Sequence, residues 1–388
     1  LKEYILDNYS QIGSFEVVSV DYNTMETPIT KSARLQSNLE AIETLFALKS
    51  AEIDIRQKFN INKLDNRNHI YANKESLEKL SKYTGFGGLS GFFNDSNKDF
   101  DKERDKFNEI IRKYSHLDNE FNFNSLKTQL ELSSDNAYYT PTYIINSINE
   151  ITKKLGIASN NEEKLEILEP SAGIGRFINN CDLNANFTAY ELDKITADIL
   201  KFIQPNTNVI NKNYLSDIKE AKYDLVIGNP PYGANNLTDK FVEKALANTK
   251  DGGFVIFVTS SRFLDNCNME IKKIIDGNDN IDIIDTQEVG FEGIGRFIGA
   301  LRLPPDVFKD QGVSISTDIV VFQKGYTYET TKDDNGEIKT MKRTPLANKW
   351  EQNKDEIYDF KFHIKDLEIM EALKEHYKQF SQIKSEEE

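Results

Sequence analysis

Apolar positions recur every three or four residues between about 29 and 59, where Leu35, Leu39, Ile42, Leu45 and Phe46 fall on one stripe. That spacing predicts a helix with one buried face. Weaker stripes of the same period predict helices near 73 to 82 and 100 to 115. Between them the cluster Tyr83-Thr84-Gly85-Phe86-Gly87-Gly88-Leu89 predicts a loop, because its glycines interrupt any regular pattern.

From about 140 the pattern changes. Short apolar runs at Leu165–Leu168, Phe187–Leu192, Asn208–Ile210, Tyr223–Ile227, Phe254–Val258 and Ile319–Phe322 predict strands, and Ile195–Ile203, Asp239–Asn248 and Met269–Ile275 predict the helices between them. Alternation at this spacing implies crossover units, hence an α/β fold with a mostly parallel sheet and helices on both faces. After about 325 the chain is polar, with a hairpin turn expected at Asp333-Asp334-Asn335-Gly336 and a last helix containing Leu367, Met370 and Leu373. Three parts are expected: a helical region over 1–130, the α/β domain over 131–325 and a polar extension over 326–388.

Composition narrows the function classes. Among 388 residues, 48 Lys+Arg stand against 63 Asp+Glu, a formal charge of −15. This disfavours a protein that grips nucleic acid over a wide surface, since phosphate affinity comes from Lys and Arg, but it leaves room for a local cleft. The mixed run Lys98–Lys106 reads as a solvated helix face. Cys181 and Cys267 are too few for a disulfide framework, and His69, His116, His363 and His376 lack ligand spacing, so no metal centre is expected. No run reaches the ~18 apolar residues of a membrane helix, and neither an apolar nor an Arg-rich leader opens the sequence, so a cytoplasmic protein is expected. The start at Leu1 and the charged end Ser385-Glu386-Glu387-Glu388 suggest a piece of something longer.

The first chemical signal follows the first predicted strand. In Leu165-Glu166-Ile167-Leu168-Glu169-Pro170-Ser171-Ala172-Gly173-Ile174-Gly175, a strand ends in an acidic residue and a G-x-G turn. Gly173 and Gly175 remove side chains that would block a ligand from the backbone. The third glycine of a dinucleotide fingerprint is missing, which disfavours a pyrophosphate cofactor. Glu191, with Leu192 beside it, ends the next strand, where a carboxylate can accept hydrogen bonds from ribose hydroxyls. With Glu169 aimed at the same crevice, the pocket is acidic and suits a cationic ligand such as S-adenosylmethionine.

The second signal is Asn229-Pro230-Pro231-Tyr232, at the end of the strand Tyr223–Ile227. Two prolines stiffen the turn and leave the Pro230 carbonyl without competition from an N–H on Pro231. The Asn229 side-chain oxygen and that carbonyl are two rigid acceptors for an exocyclic amine, and the Tyr232 ring can stack on its base.

Taken in order, Tyr139-Thr140-Pro141, the segment Glu169 to Gly175, Glu191 and Asn229-Pro230-Pro231-Tyr232 resemble the gamma-class adenine-N6 DNA methyltransferases. The resemblance covers about 135 to 324, including Val258–Phe263 and the run Ile298–Phe308, and it implies a Rossmann-like class I methyltransferase sheet. It also implies that Tyr139, Thr140 and Pro141 close over the methionine end of the cofactor. Glu169, Pro170, Ser171, Gly173, Gly175, Glu191 and Leu192 would bind S-adenosylmethionine, and Phe308, just before the last strand pair read at Val313–Phe322, would either stack on the target base or be an ordinary core or loop residue. Outside this span, the loop Tyr83–Leu89 is similar to one in large methylase and helicase-like proteins of mobile elements.

Two departures stand out. Where the family has an Asp near the cofactor's adenine amine, this chain has Asn213, whose amide oxygen can still accept, beside Tyr214, which can pack on the adenine. Only 64 residues follow Lys324, so target recognition is expected from missing chain, a separate domain or a partner. The resemblance thus implies methyl transfer to N6 of adenine in DNA, with restriction–modification as a context. The Asn-Pro-Pro-Tyr element also occurs in RNA and protein-glutamine methyltransferases, and a non-catalytic module that binds DNA or a partner is the alternative from a different class.

Overall fold

The computed structural model describes residues 30–59, 72–133, 139–157, 164–218, 220–233, 236–266, 296–303, 307–308, 315–324, 328–332 and 338–342. The first stripe forms one helix, α1 (Lys31–Phe59), opened by Thr30, whose hydroxyl accepts the Ala33 N–H. Its predicted face is fully buried, and Arg34 and Asn38 are buried within it. Helix α2 (Lys74–Ser81) starts at Asn73, whose side chain accepts the Ser76 N–H at 2.9 Å. Then come α3 (Asp101–Lys113), α4 (Asp118–Phe121) and α5 (Phe123–Ser133). The charged run on α3 is not wholly solvated: Arg104 is buried, donating to the Phe92 and Asn94 carbonyls.

Helix α6 (Thr142–Lys154) was not anticipated; its apolar face is Ile144, Ile148, Ile151 and Leu155, and Pro141 sits at its start. The sheet follows: β1 (Leu165–Glu169), β2 (Ala185–Glu191), β3 (Asn208–Asn211), β4 (Tyr223–Gly228), β5 (Thr249–Ser260), β6 (Arg296–Arg302) and β7 (Thr317–Gln323). Its order is β3-β2-β1-β4-β5-β7-β6, and only β7 runs antiparallel to its neighbours. This is the expected Rossmann-like class I methyltransferase sheet. The last strand pair differs from expectation. It joins Arg296–Arg302 to Thr317–Gln323, so Ile319–Phe322 is a single strand paired on both sides. Helices α7 (Arg176–Asn179), α8 (Lys194–Ile203), α9 (Leu237–Asn248) and α10 (Ser261–Asn266) connect the strands.

Alternation along the strands sorts the faces. Leu165, Ile167, Leu225, Ile227, Phe254 and Ile256 pack with α6, whereas Leu168, Val226, Val255 and Phe257 pack with Phe241, Val242 and Leu246 of α9. A third cluster runs without a break from α1 to Ala172 and Ile174 and to Ile195, Ile199 and Leu200, the last three on α8. Buried Asp198 of α8 joins it, held by Lys194 at 2.6 Å and Lys201 at 2.9 Å, with Lys49 of α1 at 4.0 Å. Burial pulls its carboxyl up, but the three lysines outweigh that and hold it below its ordinary value.

A two-stranded sheet, β8 (Tyr328–Lys332) against β9 (Ile338–Lys342), follows. The predicted turn at Asp333–Gly336 and helices at Met269–Ile275 and around Met370 lie outside the described residues. Among the described residues no helix is long and apolar enough to cross a membrane. From β1 the chain winds outward through β2 and β3, and from β4 it winds the other way, leaving a crevice beyond the carboxyl ends of β1 and β4.

Candidate active site

A cavity of about 720 Å³ fills that crevice. Its floor comes from the strand ends: Glu169, Pro170, Ser171 and Gly173 after β1, Glu191 and Leu192 after β2, Asn213 and Tyr214 after β3, and Asn229 and Pro231 after β4. Tyr139 and Thr140, just ahead of α6, close one side. Pro141, Gly175, Pro230, Tyr232 and Phe308 do not line it.

The glycine turn does two separate jobs. Gly173, at φ +56°, donates its N–H to Glu191 Oε2 at 2.8 Å, and the Tyr139 ring lies against it so closely that a Cβ would fall 2.7 Å from Tyr139 Cε1. Gly175, at φ +79°, is a packing residue and not a ligand-facing one, because a Cβ there would meet Leu200 of α8 at 2.6 Å. This corrects the expectation that both glycines clear space for a ligand.

Electrostatics concentrate on two carboxyls. Glu191 also accepts the Asp193 N–H at 2.8 Å through Oε1, and burial, then Asp193, push its pKa up to about 7. Glu169 is 1 % exposed and its Oε2 has no hydrogen-bond partner among the described residues. Burial and then Glu191 raise its carboxyl well above the ordinary range. Thr140 Oγ1, also buried, lacks a partner among the described residues. An unsatisfied buried polar atom costs about 1–3 kcal/mol, so two of them in one cavity wall call for a ligand with donors. S-adenosylmethionine, with an ammonium and ribose hydroxyls, carries donors for these acceptors.

The loop after β4 is tied to the one after β1. Ser171 Oγ donates to the Asn229 carbonyl at 3.0 Å, and Gly228 lies against the side chains of Glu169 and Pro170. Asn229 is half-buried and its Oδ1 accepts the Tyr232 hydroxyl at 2.6 Å. Pro230 is buried, so its carbonyl joins the pocket less directly than the sequence suggested.

Three further expectations are refined. Asn213 Oδ1 accepts the Leu215 N–H at 3.0 Å, capping a short 3-10 turn, so one of its lone pairs is already used. Tyr214 is fixed by its hydroxyl, which donates to Asn248 Oδ1 at 2.9 Å, and by the Tyr190 ring 5.2 Å away. Leu192, 70 % exposed, offers a large apolar side chain at the cavity mouth. Phe308 is a correction: it is 1 % exposed in the cluster with Ile144 and Ile319, which is the core alternative to a stacking role.

The structure adds wall residues that motif reasoning missed. Asp193 caps α8, accepting both the N–H and the hydroxyl of Thr196 at 2.8 and 2.6 Å, and both residues line the cavity. Arg176 lies over the Tyr139 ring, 5.4 Å from its centroid. Tyr83, Gly85 and Gln129 reach the cavity from the N-terminal region. The signal for the first two was the glycine cluster itself, which no chemistry had yet absorbed.

Known proteins share this part of the chain. The family model described as "Methyltransferase small domain" matches residues 179–278. Type II methyltransferase M.HincII of Haemophilus influenzae is 27 % identical over 191 residues, covering 42 % of this chain and 35 % of that protein. Modification methylase CviBIII of Paramecium bursaria Chlorella virus NC1A is 26 % identical over 160 residues, 36 % of this chain and 41 % of its own. Defense against restriction protein B of Escherichia phage P1 is 26 % identical over 204 residues, 48 % of this chain but 8 % of that protein. The chain spans less than half the length of each of these relatives. Residues 179–278 thus match the methyltransferase small domain model, and the chain is similar over part of its length to type II methyltransferases.

Proposed function

We propose that the chain transfers a methyl group to the exocyclic N6 amine of adenine in DNA. The observation that carries this reading is the position of the Asn229 carboxamide. Asn229 lines the cofactor pocket at the end of β4, its backbone carbonyl held by Ser171 and its carboxamide oxygen by the Tyr232 hydroxyl. S-adenosylmethionine, when bound, supplies the electrophilic methyl group. Glu191 accepts from ribose hydroxyls, and Glu169 Oε2 and Thr140 Oγ1 are the acceptors left for the remaining donors.

Asn229 Oδ1 and the Pro230 carbonyl hold the target amine, drawing its lone pair out of conjugation with the ring. The amine would gain the methyl group that the cofactor supplies and lose one proton to solvent, the cofactor leaving as its thioether. No covalent enzyme intermediate is needed; the residues contribute position and electrostatics. An adenine inside a duplex is out of reach, so the base is extruded or already unpaired. Tyr232 supplies a stacking face, worth roughly 1–3 kcal/mol per base. The choice of DNA sequence falls to a separate recognition domain or a partner, and the reaction belongs in the cytoplasm, where DNA and cofactor meet.

Titration of the wild type and Asn229→Ala with S-adenosylmethionine, alongside labelled methyl transfer to unmethylated DNA, RNA and protein, tests this. Binding by both proteins, with transfer to DNA lost only in the variant, is expected. Transfer to RNA or protein in place of DNA overturns the substrate, and a wild type that binds no cofactor overturns the activity.

A further inference from the structure

The loop Tyr83–Leu89 sits in the N-terminal region, yet its first residues face the cofactor cavity. Tyr83 and Gly85 both line it, together with Glu191, Asp193 and Tyr139. Thr196 lines the same wall and its hydroxyl donates to Asp193 at 2.6 Å.

The loop is held from behind. Asn38 of α1, fully buried, donates to the Gly85 carbonyl at 2.6 Å and accepts the Thr84 N–H at 2.8 Å. Arg34, one turn earlier and 2 % exposed, donates to the Gly87 carbonyl at 2.8 Å. Burying an arginine and an asparagine in an apolar helix stripe is costly unless each finds partners, and both find them on this loop's backbone. Gly85 and Gly88 take φ of +63° and +70°, which a side chain would oppose. Phe86 anchors the middle, its ring 5.6 Å from Phe92 and 5.2 Å from Phe93. None of this fixation is needed merely to connect α2 with α3. It holds Tyr83 and Gly85 against the cavity, in place before any ligand arrives, as a preorganised wall should be.

We propose that Tyr83 and Gly85 are S-adenosylmethionine-binding residues, so that the helical region before the sheet supplies one wall of the cofactor site. This rests on the methyltransferase reading of the cavity. Tyr83 contributes its ring face and its hydroxyl, and Gly85 contributes a backbone with no side chain to intrude.

The test compares wild type, Tyr83→Phe and Tyr83→Ala by calorimetric titration with S-adenosylmethionine. Melting temperature and near-ultraviolet circular dichroism of the ligand-free proteins report on folding. Amide hydrogen exchange of the wild type, with and without cofactor, follows residues 83–89 independently of any substitution. The expected result is a dissociation constant raised about threefold in Tyr83→Phe and tenfold or more in a folded Tyr83→Ala, with exchange in the loop slowed by cofactor. A Tyr83→Phe constant within 1.5-fold of wild type, together with loop exchange that ignores the cofactor while residues 171–175 respond, overturns the proposal and leaves the methyltransferase reading standing. A wild type that binds no cofactor overturns both.

Discussion

The Tyr232 hydroxyl donates to Asn229 Oδ1 at 2.6 Å. One lone pair of the acceptor proposed to hold the target amine is therefore engaged by its own neighbour, and an incoming base competes with that hydroxyl for the oxygen. Tyr232→Phe removes the competitor and keeps the ring. We expect it to lower KM for DNA without a large loss in kcat, whereas Tyr232→Ala loses stacking worth roughly 1–3 kcal/mol and raises KM by about 10- to 100-fold. Steady-state kinetics on one oligonucleotide distinguish the two, and a Tyr232→Phe enzyme with raised KM contradicts the competition.

The carboxyl of Glu191 gives a pH signature. Its pKa of about 7 in the folded chain lies above the ordinary 4.5. Between those values the folded state holds more protons than the unfolded one, so the ligand-free protein loses stability as pH rises through this window and levels off above it. Ligand donors need the ionised carboxylate, so cofactor affinity should rise over the same range, by at most about tenfold per pH unit, with proton release seen as buffer-dependent heat. Glu191→Gln should flatten the profile, and a wild-type affinity constant from pH 5.5 to 8 would falsify the assignment.

Gly173 and Gly175 should fail differently when given a methyl group. Gly173→Ala carries left-handed strain too, but it also drives a Cβ into the Tyr139 ring of the cavity wall and should weaken cofactor binding at least tenfold. Gly175→Ala strains a left-handed residue and presses on Leu200, and should cost about 1–3 kcal/mol of stability. Urea melts and cofactor titrations of both variants separate these effects; equal loss of affinity at comparable stability would argue against the division of labour.

Removing the Asn38 side chain strands two buried backbone groups, the Thr84 N–H and the Gly85 carbonyl. At about 1–3 kcal/mol for each unsatisfied group, Asn38→Ala should lower the urea midpoint by an amount worth about 2–6 kcal/mol at unchanged slope. A change below 1 kcal/mol would mean that water replaces the amide.

The parts legible in the sequence were those where one residue pattern has one physical outcome. Alternating strands and helices with a turn at each strand end fix a doubly wound sheet, and Glu169, Glu191 and Asn229 fall at strand ends that the topology brings together. Helix α6 was missed although Ile144, Ile148 and Ile151 recur at helical spacing, because no capping side chain marks its start. The last strand pair was misread because its two strands are separated by a long connection, and only pairing reveals that Arg296–Arg302 joins Thr317–Gln323. Phe308 illustrates a harder limit, since an aromatic before a strand packs inward or stacks on a base according to three-dimensional surroundings. Arg34 and Asn38 were invisible for the opposite reason. In a helical stripe, polar residues read as interruptions, and here they are buried because a loop 50 residues later offers them partners.

The apolar cluster that α1 shares with α8 bears on how such a chain can be rearranged by recombination. A crossover placed between α5 and Tyr139, where the motifs alone would suggest a seam, would strip Ile195, Ile199 and Leu200 of their cover and leave Asp198 without Lys49. The helices of residues 31–133 therefore cannot be exchanged like a cassette. They and the sheet have to be inherited together, and a hybrid that joins one lineage's helices to another's sheet would need matching substitutions on both sides of that seam before it could fold.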